Sequence, residues 1–231
     1  MNTNQKFYIE ELYDRFKDQV PSKIPTTPFP PNKWLDKSLG GRDQDEITRN
    51  IDKDYMGLTG GLLWAARHTC LECQFGVNQL CSVMSAPSDL AMQYGLYILS
   101  WMYHNRQYGI TASSDSNPEP VAFCDSGWRP QAADGKSQYG FMLVYFGLTV
   151  IWLSKKLPHI SISTPHSEFM VIGLCAREVI WLRQLLLECG RRLTTPTPIY
   201  GDRIGADQVS RYRLAKASSC ANYGAGRIEM G

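Results

Sequence analysis

Apolar positions along the chain follow two spacings, and the sharpest change between them lies between Ile160 and Leu187. Ile160 and Ile162 alternate with serines, as in a half-buried strand. From Phe169 onward the apolar residues recur at three and four, as Phe169, Ile172, Cys175, Ala176, Val179, Leu182 and Leu186. The pattern predicts a short strand over 159–163 and a long helix over 165–190. Thr164 beside Pro165 reads as a helix N-cap followed by proline at the first helical position. Glu168 then lies about one turn into the helix, at the mouth of a strand-to-helix junction.

The remaining patterns divide the chain. Phe7, Ile9, Leu12, Tyr13 and Phe16 predict a helix over 6–16, which stops before Pro21. Residues 21–54, with four further prolines and the Gly40-Gly41 pair, read as an extended, poorly packed connector. Tyr55 to Met84 reads as a helix entered through glycines. Ser88 caps a second one reaching about Asn105, and the two are expected to pack as a hairpin. Ala112 to Pro120 is a connector. After it come strands at 120–125, 138–146 and 148–154, the short strand and long helix described above, a strand at 198–201 and a weaker helix at 204–217. Consecutive strands followed by alternating helix and strand make a mixed sheet with helices, an α/β or α+β class. The expected divisions are 1–54, 55–114 and 117–231.

Composition narrows this only a little. The chain has 231 residues, 43% of them hydrophobic, enough to build a core. A net charge of +2 neither demands nor excludes nucleic acid, so any basic surface has to be local. The start has no secretory apolar core and no long uncharged apolar run follows, which predicts an intracellular protein. Seven scattered cysteines do not make a disulfide framework and are expected to be reduced and mostly buried.

Two short apolar runs end in acids as the run before Glu168 does: Val121-Ala-Phe-Cys124 leads to Asp125, and Pro198-Ile-Tyr200 to Gly201-Asp202. Strands lying side by side would bring these ends together beside the helix that carries Glu168. Three converging carboxylates repel one another unless a divalent cation lies between them, and hard oxygen donors suit magnesium or manganese. The other reading is of three ordinary acids at element ends.

At this point the chain resembles a known family. Val121-Ala-Phe-Cys-Asp125-Ser-Gly-Trp128, Asp134-Gly-Lys136-Ser137-x-x-Gly140, Val150-Ile-Trp152-x-Ser154-Lys155-Lys156, Ser163-Thr164-x-x-x-Glu168-Phe169, Glu178-x-x-Trp181-Leu182 and Pro198-Ile-Tyr-x-Asp202 stand in the order and spacing of the ribonuclease H domain of copia-type retrotransposon polyproteins. The first half is similar to the region joining the polymerase palm to that domain, through Lys6-x-Tyr8-Ile9, Thr27-Pro28, Tyr55-x-x-Leu58-x-Gly60-x-Leu62-Leu63 and Met84-x-x-Pro87. No Tyr-x-Asp-Asp polymerase motif is present, so no DNA synthesis is expected.

The resemblance implies a ribonuclease H-like mixed sheet with flanking helices, preceded by a helical connection region. It implies a nuclease that cuts the RNA strand of an RNA–DNA hybrid, with Asp125, Glu168 and Asp202 as catalytic metal ligands. Two magnesium or manganese ions about 3.5–4 Å apart would serve in-line attack on a phosphodiester. The rest of a polyprotein, a reverse transcriptase core and an integrase, would be its partners. Glu229 is the nearest counterpart of the family's further acid near the C-terminus, with Arg227 in place of the histidine that usually precedes it. His166 replaces an acid, and Gly201-Asp202-Arg203-Ile204 replaces the usual Cys-Asp-Asn-Gln; Arg203 would either touch a phosphate or pair with an acid. Lys136, Ser137, Arg129 and Lys155 are the candidates for contact with a nucleic-acid backbone, while Trp152 and Trp181 are expected in the core. Beside the nuclease stands a second reading, a decayed or repurposed retroelement fragment that folds and binds but cuts nothing.

Two further motifs are set aside. Pro130 through Ser137 lacks the first glycine of a phosphate-binding loop and is expected to run into a strand instead of a helix. Cys70-x-x-Cys73, with Cys81 and His68 on one continuous helix, offers poor geometry for zinc.

Overall fold

The computed structural model describes residues 2–113, 116–127 and 134–201. It forms two compact units, which divide between Thr111 and Ala112, at the head of the stretch bearing serine and proline.

The first unit is helical. Its ends meet in a two-stranded pairing of β1 (Asn2–Thr3) with β2 (Ile110–Thr111). Helix α1 (Lys6–Phe16) turns Ile9, Leu12 and Phe16 inward, as its spacing predicts. It packs on α3 (Tyr55–His68) at Gly61, where a Cβ would come within 2.7 Å of the Leu12 side chain, which would have to shift to admit one. Asp54 caps α3, accepting from the Gly57 amide at 3.0 Å. Tyr55, Leu58, Leu62, Val77, Leu80, Ile98, Leu99 and Met102 form the centre of this core.

Two expectations fail in this unit. The stretch 55–84 is not one helix: α3 ends at His68, a tight turn covers Leu71–Cys73, and α4 runs over Gln74–Ser82. The Thr69 and Cys70 amides both return to the Ala65 carbonyl, and the Thr69 hydroxyl bonds the Gln5 side chain at 2.8 Å, which closes the helix. Nor is 21–54 poorly packed. Phe29 and Leu35 are buried in the core, the Leu35 amide bonds the Gln79 side chain, and α2 (Gln44–Asp52) forms within the stretch. Ser88 caps α5 (Asp89–His104) as expected, accepting from the Ala91 amide, and it also donates to the Leu39 carbonyl at 2.8 Å.

The second unit is α/β. A four-stranded mixed sheet of order β5-β4-β3-β6 carries helix α6 (Thr164–Glu188). β3 (Val121–Gly127), β4 (Gln138–Tyr145) and β5 (Leu148–Lys156) run antiparallel in sequence. The chain then crosses through α6 and returns as β6 (Ile199–Tyr200), parallel to β3 on its other side. Phe146 and Gly147 make the β4–β5 turn, both in the left-handed region at φ 52° and 72°, and the register shifts between Leu143 and Val144. This α/β architecture is consistent with a ribonuclease H-like domain. The core lies between the sheet and α6, built from Ala122, Cys124, Leu143, Val171, Cys175, Val179, Leu182 and Ile199.

Three local expectations fail here. Residues 159–163 form no strand; Ile160 and Ile162 point out, at 60% and 82% exposure, while Ser161 is buried. The helix begins at Thr164 with Ser163 as its cap, accepting from the His166 amide at 3.3 Å. Trp181 is 55% exposed and not in the core; Trp152 is half-buried. No helix among the described residues is long and apolar enough to cross a membrane.

Candidate functional site

Two of the four candidate ligands lie among the described residues. Asp125 is on the central strand β3, which continues two residues past it instead of ending there. Glu168 is half-buried on α6. Asp202 and Glu229 lie outside the described residues, as do Arg129 and the expected helix at 204–217. The strand that leads toward Asp202 is the parallel neighbour of β3, with Ala122 opposite Ile199 and Phe123 opposite Tyr200.

Alternation along β3 decides which side chains face α6. Ala122, Cys124 and Ser126 are buried, and Phe123, Asp125 and Gly127 are exposed on the other face. Cys124 meets Cys175 of α6. That hydrogen bond, and then burial, push the Cys175 thiol far above the usual range, so it stays a neutral core group. Ser126 Oγ donates to Ser167 Oγ at 3.0 Å, and Ser167 Oγ donates to the Thr164 carbonyl at 2.7 Å. These contacts make the end of β3 and the first turns of α6 neighbours, the elements on which Asp125 and Glu168 stand. The Ser126 amide donates to Asp125 Oδ1 at 2.7 Å and so orients that carboxylate. Asp125 and Glu168 carry hard oxygen donors, the chemistry magnesium and manganese take. Among the described residues no group of three or more His, Cys, Asp or Glu is arranged to hold a metal.

The basic candidates separate. Lys155 is exposed at the end of β5. Ser137 is fully buried with its hydroxyl shared with Ser161 at 2.7 Å, so it offers no exposed group to a phosphate. Lys136 follows a tight loop in which its amide donates to Asp134 Oδ1 at 3.1 Å, while Lys156 Nζ pairs with Asp134 Oδ2 at 2.9 Å. Strand β4 begins directly after Ser137, where a phosphate-binding loop would need a helix. His166 is exposed, its Nδ1 accepting from the Ile162 amide at 3.3 Å. Cys70 and Cys73 are buried, and burial raises both thiols. The Ser126–Ser167 bridge was missed by sequence reasoning, because it joins residues 41 apart and a lone serine carries no periodic signal.

No family model and no solved structure matches the chain. Curated relatives do. The chain is 29% identical over 207 residues to the retrovirus-related Pol polyprotein from transposon RE1 of Arabidopsis thaliana, covering 89% of this chain and 14% of that one. Similarity to the retrovirus-related Pol polyprotein from transposon TNT 1-94 of Nicotiana tabacum is 22% over 187 residues, covering 81% and 14%. An uncharacterized mitochondrial protein of Arabidopsis thaliana is 27% identical over 133 residues, covering 55% of this chain and 53% of its own. The chain spans about one seventh of the length of the polyproteins it matches. Two of its relatives, both retrovirus-related Pol polyproteins, are 29% identical to it over most of the chain.

Proposed function

We propose that the chain is the ribonuclease H part of a copia-like retrotransposon polyprotein, a metal-dependent endonuclease that cleaves the RNA strand of RNA–DNA hybrids. In this reading residues 1–54 and 55–114 are the tail and connection region of a reverse transcriptase, and 117–231 is the nuclease. The observation that carries it is Asp125 on the central strand of a mixed sheet, fastened at Ser126 to the helix that bears Glu168, with a parallel strand leading toward Asp202 alongside. Retroelement polyproteins as relatives over most of the chain agree with it.

Asp125, Glu168 and Asp202 would hold the magnesium or manganese ions, with Glu229 as a fourth ligand. When bound, such ions lower the pKa of the attacking water and neutralise charge on the phosphodiester. The Ser126 amide keeps one Asp125 oxygen turned, which leaves the other free to grip. Lys155 is exposed and available to the hybrid backbone, a contact that reads shape and charge and not sequence. The partners would be the hybrid and the remainder of the polyprotein.

The deciding experiment is cleavage of a labelled RNA–DNA hybrid with magnesium or manganese, run beside Asp125→Asn. Cutting that needs both the metal and Asp125 is the expected result. An Asp125→Asn variant with full activity would remove the proposed site. Bound but uncut hybrid with folded protein would favour the decayed fragment, which the missing polymerase motif, the altered tail at Glu229 and the substitutions at His166 and Arg203 motivate.

A further inference from the structure

The side chains next to the two described ligands form a hydroxyl chain that reaches from the sheet to the helix. Ser126 Oγ donates to Ser167 Oγ at 3.0 Å, and Ser167 Oγ in turn donates a hydrogen bond to the Thr164 carbonyl at 2.7 Å. Ser167 is fully buried and Ser126 is 8% exposed. Ser126 follows Asp125, and Ser167 precedes Glu168. Ser126 therefore holds two things at once, the Asp125 carboxylate through its amide and α6 through its hydroxyl.

Beside the hydroxyl chain, β3 and α6 meet through the hydrogen-bonded thiols Cys124 and Cys175 and through apolar packing that includes Val171 and Val179. Apolar packing resists separation but is non-directional, and it tolerates sliding by a fraction of an ångström far better than a hydrogen bond does. The hydroxyl chain is thus a directional fastener between the residues next to Asp125 and Glu168. A second bridge of the same kind, Ser137 to Ser161 at 2.7 Å, ties the start of β4 to the loop entering α6 and fixes the direction from which the helix arrives.

We propose that Ser126 and Ser167 are a positioning pair, whose hydroxyl chain sets the register of β3 against the first turns of α6 and so the placement of Asp125 relative to Glu168. This rests on the nuclease reading above. A purely structural pair behaves differently, because replacing both partners of a buried hydrogen bond by small apolar groups is close to neutral for stability. A positioning pair loses function under the same double replacement.

The test uses the full chain as parent, Ser126→Ala, Ser167→Ala, the double variant and Ser126→Thr, which keeps the hydroxyl. Each is melted, then assayed for hybrid cleavage under single-turnover conditions across a magnesium titration. The expected result is a loss of about 10- to 100-fold in apparent magnesium affinity or cleavage rate for each alanine variant. The double variant should be no worse than the weaker single, hybrid affinity should be unchanged, and Ser126→Thr should return the parent's behaviour. A folded double variant that cuts like an active parent overturns the inference and leaves the nuclease intact. So does a rate that falls only with the fraction of folded protein. A folded parent that neither cuts nor is stabilised by magnesium overturns the nuclease reading, and the positioning role with it.

Discussion

Asp134 accepts from the Lys136 amide and pairs with Lys156 Nζ. Desolvation alone would raise its pKa, but the Lys156 bond and the backbone amides outweigh that and hold the carboxyl below its usual 3.8. A carboxyl depressed in the folded state adds stability above the unfolded value, and that stability disappears as pH falls through the lower, folded one. Both partners are about a third exposed, so solvent screening keeps the contribution below about 1 kcal/mol. Urea midpoints taken at about pH 6 and about pH 3 should differ more for the parent than for Asp134→Asn. An equal difference in the two proteins would mean the pair adds nothing. At this scale the sequence was legible where chemistry is set by residue type, as for the Ser88 cap. It was not where two neighbours compete: Ser163 and Thr164 can both cap, and only the backbone decides that Ser163 reaches the His166 amide.

Helix α6 shows why periodicity locates an element better than it orients one. Its apolar residues lie on nearly every side, so the three-and-four spacing gave the helix within two residues at each end and yet left its buried face ambiguous. Val171, Cys175, Val179 and Leu182 face in, while Phe169, Ile180 and Trp181 face out, all more than half exposed. Leu182→Ala should cost about 2–5 kcal/mol in chemical denaturation, while Trp181→Ala should cost less than about 1 kcal/mol. The reverse ranking would mean that Trp181 is covered in solution. The Ile160–Ser163 segment failed for a related reason. Alternation defines two faces but does not say which is inside, and the buried Ser137–Ser161 bridge turned the serine inward and the isoleucines out.

Each of the two units closes a hydrophobic cluster of its own, one centred on Leu58, Leu62 and Leu80 and the other on Leu143, Cys175 and Val179. A cavity opened in one core should therefore be felt mainly there. In hydrogen exchange, Leu62→Ala should lower protection across Lys6–His104 and leave that of β3, β4 and α6 unchanged. An equal loss in both would show that the chain unfolds as one block. The β strands were legible at this scale because three apolar runs stood between turn residues. The tie between 21–54 and the helices was not, since it depends on Leu35 reaching Gln79, 44 residues away.

The β4–β5 turn places an aromatic residue, Phe146, in the left-handed region beside Gly147. An L-residue with a Cβ pays about 1–2 kcal/mol there, so the strands impose this turn on a sequence that would not choose it. Such a turn is expected to be a poor nucleus, with the hairpin zipping from its paired middle outward and the bend closing last. Phe146→Gly should accordingly slow unfolding while leaving the refolding rate nearly unchanged in stopped-flow measurements. Faster refolding would instead make the bend an early event, so that the time this sheet takes to form is set at a corner remote from its acids.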